Sequence, residues 1–342
     1  MKKNLWKIAA GLGLTGVFVF LFVRSVDWAA VLRDVANVDV VLFALLFPLA
    51  AVHFFTRGLR WRFLLVHEKP DVRLRPLVAG NVVGFTVTFI FPGRLGEIVK
   101  PLYVARKERI RKGFAVGTVV VERIFDMFTV CSLLGLFILA RPLYAGLFAL
   151  EAESYRTLRL WGFAGVGTAS ALLVAAVLLY VFKGRAIRVV ESLLKPLPER
   201  LRGRVVELTR EFIDGLRIFH SAGNLAVYTG LSFVVWLAII FFYWVFFLAY
   251  GVRVPYFLLV PYVFLTMIGA SIPTPGMVGG FDYFSRLGMT SLYHIGTNQA
   301  VGMTLVTHTI QIVVTCLLGY AILWREGLSL FQLKSMGEKE KR

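Results

Sequence analysis

Residues 76–97 read PLVAGNVVGFTVTFIFPGRLGE, an apolar segment that ends in a turn rich in Pro and Gly. Basic residues flank this stretch on both sides, Arg73 and Arg75 before it and Lys100 and Arg106 after it. Lys and Arg mark the cytoplasmic side of a membrane segment, so a segment with basic residues at both ends does not read as a single crossing. The stretch is therefore predicted to enter the membrane from the cytoplasm and turn back, as a re-entrant hairpin.

The composition of the whole chain supports a membrane location. Of its 342 residues, 58% are hydrophobic and only 17% are charged, and the mean hydropathy is +0.74. Soluble proteins are roughly 45–50% apolar and about 25% charged. The net charge of +18 comes from residues clustered beside apolar runs. Membrane topology and anionic lipid headgroups explain this pattern better than nucleic-acid binding does.

Eight apolar segments are long enough to matter for the fold. A membrane helix needs about 20 apolar residues, which predicts about six such helices, at residues 5–23, 38–56, 113–140, 157–182, 225–250 and 299–324. The other two segments, at about 76–92 and 255–275, belong to the predicted hairpins 76–97 and 255–297. We therefore expect an all-α polytopic membrane protein.

The distribution of charge predicts an inverted-topology repeat. The first residues, the linker 183–223 and the tail 326–342 are all basic, which predicts cytoplasmic N- and C-termini and a second hairpin that enters from outside. The order helix, helix, hairpin, helix then occurs twice in opposite orientations, in 1–140 and in 157–325. Inverted repeats of this kind are typical of transporters.

One short motif occurs at equivalent points of the two halves. Pro92, Gly93 and Gly96 have the same spacing as the later set of turn residues, Pro275, Gly276 and Gly279. Within the second half, the linker 183–223 between the fourth and fifth predicted helices has apolar residues at steps of three and four, typical of an amphipathic helix. Two interpretations of that helix stay open: it lies on the cytoplasmic leaflet, or it packs against the bundle as a connection.

Charged residues near the first turn are the main candidates for a site. Non-helical backbone at membrane depth must be buried in protein or line a watery cavity, so Arg94 and Glu97 are predicted to hold an anion such as a lipid phosphate. The alternative is that these two side chains pair with each other, or mark the cytoplasmic surface.

Further candidates lie on the helices that follow each turn. Glu122, Arg123 and Asp126 share a predicted helix, where intramembrane charges usually face the bundle interior; a purely structural ion pair is the alternative. Asp282 follows the second turn and is added to the predicted site. His53 and His308 are interpreted as hydrogen-bonded structural residues.

Several chemistries are not predicted. The sequence contains no zinc-protease, P-loop or nucleophile-elbow motif, and no Cys and His cluster at metal spacing. We expect no metal, no cofactor and no catalytic residue, and we expect that the protein is not an enzyme.

Four motifs together resemble a known family. They are FPGRLGE at 91–97, VERIFD at 121–126, RGLRWR at 57–62 and PGMVG at 275–279, and they are similar to the lysylphosphatidylglycerol synthetase transmembrane-region family of flippase-like proteins. The family usually has Glu at the position of Asp282 and Gly at that of Met277. The resemblance implies a lipid-translocating membrane domain with Arg94, Glu97, Glu122, Arg123 and Asp126 in a central polar site. In the multiple peptide resistance factor such a domain is joined to an aminoacyl-transferase, whose activity we do not expect here.

The sequence thus predicts a flippase or transporter for a phosphate-bearing lipid in the cytoplasmic membrane. The alternatives are a membrane-embedded enzyme or accessory subunit that acts on a polyprenyl or phospholipid substrate, and a transporter of small solutes or ions. As partners we expect membrane lipids and no nucleic acid. A second copy of the chain or an enzyme of lipid biosynthesis stays open as a further partner.

Overall fold

The computed structural model describes residues 29, 37–91, 93–146 and 152–327. Within these ranges the chain is helical and contains no strand, which confirms the all-α prediction. The predicted helix at 5–23, Pro92 and most of the tail 326–342 lie outside the described residues.

Five helices make up the first half as the structure describes it. They are α1 (Val40–Leu65), α2 (Leu74–Ile90), α3 (Gly96–Glu108), α4 (Lys112–Leu139) and the single turn α5 (Arg141–Tyr144). The side chain of Asp39 begins α1 by accepting hydrogen bonds from the N–H groups of Val41 (2.9 Å) and Leu42 (3.0 Å). These bonds satisfy two of the backbone donors that the first turn of a helix leaves without partners.

Seven helices follow in the second half. They are α6 (Ala152–Val181), α7 (Lys183–Leu193), α8 (Glu199–Asp214), α9 (Ala222–Ala249), α10 (Val260–Ser271), α11 (Gly280–Tyr293) and α12 (Thr297–Arg325). Short 3₁₀ turns join some of them, at Arg217–His220, Tyr256–Leu259 and Pro275–Met277.

Four of the described helices are long and apolar enough to cross a membrane. They are α1, the part Tyr155–Val181 of α6, α9 and α12. Helix α4 has 28 residues and is also predominantly apolar, but it carries Glu122, Arg123 and Asp126 near its middle. The chain is therefore a multi-pass membrane protein.

The first hairpin is longer than predicted, because 76–97 covers most of α2, the turn and only the first two residues of α3, which continues to Glu108. In the structure each hairpin consists of two helices that pack on each other. In the first hairpin, formed by α2, α3 and their turn, Gly84 faces Gly96 so closely that a Cβ added at Gly96 would lie 1.8 Å from the Gly84 carbonyl oxygen. In the second hairpin, formed by α10, α11 and their turn, a Cβ at Gly280 would lie 2.6 Å from the Gly269 carbonyl oxygen. Glycine at these positions allows the backbones of the two arms to touch.

The contacts of the two hairpins follow the same rule. The second arm of each packs on the next helix in the chain, α3 on α4 and α11 on α12. The first arm of each packs on the corresponding helix of the other half, α2 on α12 and α10 on α4. Helices α1 and α9, which precede the hairpins, pack against each other. The hairpins are thus enclosed by α4 and α12.

The basic linker packs against the bundle. Helix α8 lies along the start of α4, where Glu211 Oε2 accepts a hydrogen bond from the Gly113 N–H at 2.8 Å. Gly117 of α4 comes so close that an added Cβ would lie 2.3 Å from the Phe212 carbonyl oxygen. Of the two open interpretations of this segment, these contacts favour the packed connecting helix.

A buried carboxylate closes the base of the first hairpin. Glu108 has a fully buried side chain, and it accepts hydrogen bonds from Lys69 Nζ at 2.9 Å and from Arg73 Nε at 3.0 Å. Burial alone would raise the pKa of Glu108, but the two hydrogen-bonded cations outweigh it and hold this pKa below its ordinary value. The connection between α1 and α2 is thereby tied to the end of α3.

Two apolar cores leave a gap between them for charged groups. Along α1, Leu46 and Ala50 belong to one buried apolar cluster and Trp61 to another. The same change of cluster occurs along α4, from Phe125 to Val130. Arg57 and Arg60 of α1 and Asp126 of α4 lie in the interval between the clusters, and Glu122 and Arg123 lie one turn before Asp126.

Candidate functional site

Two arginines of α1 meet the acidic side of α4. Arg57 and Arg60 are three residues apart and share a helix face, and both are buried, with 6% and 0% exposure. The Arg60 guanidinium lies 2.7 Å from Asp126 Oδ1 and 3.4 Å from Glu122 Oε1. Arg57 lies 3.2 Å from Asp126 Oδ2.

Asp126 is the residue that most of these donors share. Besides the two arginines of α1, it accepts from Trp236 Nε1 on α9 at 3.1 Å and is paired with Arg123 at 3.3 Å. A buried carboxylate can accept about four hydrogen bonds. Asp126 therefore joins α1, α4 and α9 at one point.

Helix α3 adds a cation and a carboxylate to the group. Lys100 is buried, pairs with Glu122, and has its ammonium 4.3 Å from the centre of the Trp61 ring. Glu97, one turn earlier, lies 3.5 Å from Arg123. We call these residues the charged cluster: Arg57, Arg60, Glu97, Lys100, Glu122, Arg123 and Asp126.

The turn of the first hairpin places Arg94 beside this cluster. Gly93 and Arg94 both have positive φ, 78° and 53°, a conformation that a non-glycine residue rarely adopts. The Arg94 guanidinium donates a hydrogen bond to the Ala270 carbonyl oxygen of α10. The turn of one hairpin therefore contacts the arm of the other.

A cavity of about 430 Å³ opens where the hairpins meet. This volume lies within the ~300–1,000 Å³ range of small-molecule sites. Aromatic and aliphatic side chains from α1, both hairpins and α9 form most of its wall. Its charged lining consists of Arg57, Arg94, Glu97, Lys100, Arg123 and Asp126.

The charges around the cavity do not balance. Four cations and two carboxylates line it, and behind them Arg60 and Glu122 offset each other, so two positive charges are in excess. The arrangement can therefore hold an anion with several oxygen acceptors, such as a phosphate group.

Five of the six site residues predicted from the sequence come together here. Arg94, Glu97, Arg123 and Asp126 line the cavity, and Glu122 lies behind them. Asp282 does not line it. Its carboxylate accepts from the Gly279 N–H at 2.8 Å and contacts His308 Nδ1 at 2.7 Å, so it holds the second turn.

The turn residues have the geometry that the sequence motif requires. Gly276 and Gly279 have positive φ, 65° and 88°, as does Gly93, and Gly96 makes the close contact between the arms of the first hairpin. In the second turn, Met277 also has a positive φ of 61°. Both turns therefore depend on backbone conformations that favour glycine.

Sequence reasoning missed Arg57, Arg60, Lys100 and Trp236 as site residues. Lys100 was interpreted as a cytoplasmic charge beside the first hairpin, and Arg57 and Arg60 were noted as part of the RGLRWR motif, beyond the end of the predicted helix 38–56. A signal was present, because Trp61, Leu64 and Leu65 continue the helical pattern of apolar residues past Arg57, and helix α1 does continue to Leu65. His53 lines the cavity with Nδ1 2.7 Å from the Ala50 carbonyl oxygen, and His308 of α12 contacts the second turn.

Comparison with known proteins identifies the family. The family described as "Lysylphosphatidylglycerol synthase TM region" matches residues 8–319 of the chain. The chain belongs to this family. Membership in the lysylphosphatidylglycerol synthase TM region family confirms the resemblance that the four sequence motifs indicated.

A more distant similarity is to a larger protein. The chain is 26% identical over 140 residues to the protein named Glycosyltransferase AglD, from Haloferax volcanii. The match covers 41% of this chain but only 22% of that relative, so the chain spans about a fifth of the relative's length. No solved structure matches the chain significantly.

Proposed function

We propose that this protein moves a phosphate-bearing lipid across the cytoplasmic membrane, with the lipid headgroup in the cavity between the hairpins. The observation that carries the proposal is the excess of two positive charges around the cavity. An anionic headgroup would supply the missing charge and could accept from the guanidinium groups that line the cavity. Membership of a lipid-related membrane family supports the same function.

In this proposal Arg94 and Arg123 bind the phosphate directly. Arg94 lies in the turn of the first hairpin and contacts the second hairpin, and Arg123 lines the cavity from α4, 3.5 Å from Glu97. Glu97 and Asp126 hold the cations apart and orient them. The apolar wall of the cavity suits the first carbons of an acyl or isoprenoid chain.

The proposed topology places the hairpins as oppositely oriented re-entrant segments of an inverted repeat. The first would enter from the cytoplasm and the second from outside, with both termini cytoplasmic. The matching glycine contacts at Gly84 and Gly96 and at Gly269 and Gly280 support this arrangement. The crosswise packing of α2 on α12 and of α10 on α4 supports it as well.

A second candidate function is a membrane-embedded enzyme, or an accessory subunit of one, that acts on a polyprenyl or phospholipid substrate. The name of the relative AglD favours it, although the match covers a minor part of that protein. Chemical change of a lipid by the purified protein, detected by mass spectrometry, would support this candidate instead. A transporter of small anions would use the same cations, and transport of inorganic phosphate would distinguish it.

The proposal predicts that Arg94→Asn strongly lowers the rate of lipid movement. Asn is chosen because it tolerates the positive φ of this position while removing the charge. Loss of a charge-assisted contact of ~1.5–3 kcal/mol predicts a rate about 10- to 100-fold lower. The measurement is the accessibility of fluorescent phosphatidylglycerol to an external quencher in proteoliposomes, with phosphatidylcholine for comparison.

Arg106→Ala is the matched control for this experiment. Arg106 lies on the same hairpin, near the end of α3, but its side chain is exposed and does not line the cavity. We expect wild-type rates from it. Equal rates for Arg94→Asn and the wild type would exclude Arg94 from the transport site, and movement no faster than in protein-free vesicles would argue against a flippase for these lipids.

A further inference from the structure

The second hairpin turn is held by an imidazole and a carboxylate outside the charged cluster. His308 of α12 and Asp282 of α11 are both buried, at 6% and 5% exposure. His308 Nδ1 lies 2.7 Å from Asp282 Oδ1, and Nε2 lies 3.0 Å from the Gly276 carbonyl oxygen. The other carboxylate oxygen of Asp282 accepts from the Gly279 N–H at 2.8 Å. These contacts connect both ends of the turn to α12.

Proton counting shows that this geometry requires one extra proton. A carbonyl oxygen only accepts, so the Nε2 contact requires a proton on Nε2. The short Nδ1 contact requires another proton, either on Nδ1 of an imidazolium or on a protonated Asp282. A neutral histidine beside an ionised carboxylate carries a proton for only one of these two contacts, whichever tautomer it adopts.

Removal of that proton would place two lone pairs against each other in a buried site. Either the contact with Asp282 or the contact with the Gly276 carbonyl then has to break. The turn depends on these contacts, because Gly276, Met277 and Gly279 all have positive φ, and for Met277 this conformation is costly. The observed conformation of the turn is therefore the one in which His308 and Asp282 together hold the extra proton.

The surroundings contain few groups that compete for this proton. Aromatic rings cover the imidazole, that of Phe281 at 4.7 Å and that of Phe89 at 6.4 Å between ring centres. On α11, Arg286 lies one turn beyond Asp282 with its guanidinium over Tyr283, and on α10 the phenol of Tyr262 is bonded to Ser285. Other charged or titratable groups on the packed helices are Arg75 at the start of α2, Tyr293 at the end of α11, and Cys316, Tyr320 and Arg325 on α12. Across the cavity lie His53, Arg57 and Arg94.

The second turn also contacts the cavity and the first hairpin, which the proposed function uses. Met277 and Phe281 line the cavity, the segment Pro275–Met277 packs against α2, and the Ala270 carbonyl oxygen just before the turn accepts from Arg94. A change in the turn would therefore alter the cavity wall and the contact between the hairpins.

We propose that Asp282 and His308 form a proton-binding site whose occupancy sets the conformation of the second hairpin turn and couples it to pH. The bound proton is shared between His308 Nδ1 and Asp282 Oδ1, and it exchanges with water on release. The coupling to lipid movement rests on the proposed function; the proton site itself does not.

Asp282→Asn provides a test because it imitates the loaded state without a titratable proton. The Asn oxygen can accept from the Gly279 N–H, and the Asn amide can donate to His308 Nδ1, which leaves Nε2 to donate to the Gly276 carbonyl oxygen. The reporter is the rate at which a maleimide labels Ser271→Cys, at the exposed end of α10, after replacement of Cys131 and Cys316 by Ala. His308→Gln serves as a second non-titratable background if Asp282→Asn does not fold.

The measured quantity is the ratio of the labelling rate with native Asp282 to that with Asp282→Asn at each pH. The ratio cancels the ordinary rise of thiolate with pH. We expect it to be near one at acid pH and to rise about tenfold at alkaline pH, and we expect the exposed-site control His220→Gln to behave as the wild type. A ratio that stays at one over the whole pH range would overturn the proton site.

Lipid movement measured on the same preparations separates the two proposals. A ratio that rises with pH without movement of any lipid would contradict the proposed function and leave the proton site standing. A constant ratio with normal lipid movement would contradict the proton site alone. If both proposals hold, lipid movement depends on pH in the wild type and loses that dependence in Asp282→Asn.

Discussion

Asp126→Ala is expected to lower the free energy of unfolding by about 5 kcal/mol, the upper end for breaking a buried ion pair. The substitution removes the carboxylate that faces Arg57, Arg60 and Arg123, and it also removes the acceptor of the Trp236 indole N–H. The guanidinium groups of Arg57, Arg60 and Arg123 would then share Glu122 and Glu97. The loss is costliest for Arg60, because its side chain has no exposure to solvent that could replace the lost partner.

The measurement is thermal unfolding of the purified protein in detergent. Asp71→Ala is the matched control, since the Asp71 side chain is 81% exposed and lies 4.0 Å from Lys69. An exposed pair of this kind contributes about 0–1 kcal/mol. The double substitution Asp126→Ala with Arg60→Met should recover part of the lost stability, because it also removes Arg60, whose side chain is fully buried. A wild-type melting temperature for Asp126→Ala would refute the role of Asp126 as the common partner.

Gly96→Ala is the second substitution with a large expected effect. The added Cβ would lie 1.8 Å from the Gly84 carbonyl oxygen and 2.2 Å from Thr88 Oγ1. The threonine hydroxyl can rotate away, but the carbonyl belongs to the backbone of α2, so the two arms have to separate. Overpacking typically costs 1–3 kcal/mol, and a backbone contact is at the upper end, about 3 kcal/mol. Because the hairpin carries Arg94, Glu97 and Lys100, lipid movement should fall as well.

Gly135→Ala is the control with the opposite expected sign. Gly135 lies on α4, and a Cβ added there would meet nothing within 4 Å. Replacing an unconstrained helical glycine by Ala stabilises by roughly 0.5–1 kcal/mol. The melting temperature should therefore fall for Gly96→Ala and rise slightly for Gly135→Ala. Shifts of the same sign and size would show that the arms of the first hairpin are not in close contact.

The sequence predicted the helices well where apolar runs end in clear turn residues. The predicted segments 113–140 and 225–250 differ by at most three residues at either end from α4 and α9. The prediction for α1 was wrong at its end, because the segment 38–56 stops at the first arginine whereas the helix continues to Leu65. Hydropathy counts each arginine as a loop signal, whereas the structure buries Arg57 and Arg60 against carboxylates of α4.

The candidate site was predicted in part for a similar reason. Arg94, Glu97 and Asp126 stood out because they lie beside a turn or inside an apolar run. Lys100 did not, since a lysine after a membrane segment is also the ordinary mark of the cytoplasmic side. Asp282 was assigned to the same site, but its contact with His308 joins two helices through tertiary packing that local sequence does not encode.

The paired glycines have a mechanical consequence for both hairpins. Where the backbones at Gly84 and Gly96, or at Gly269 and Gly280, touch directly, the two arms cannot slide along each other without a collision of main-chain atoms. The two arms of each hairpin therefore move together as one rigid unit that bends only at its ends. Opening of one face and closing of the other would then require each hairpin to tilt as a whole against α4 and α12, with the change of backbone angle taken up in the connections at its base.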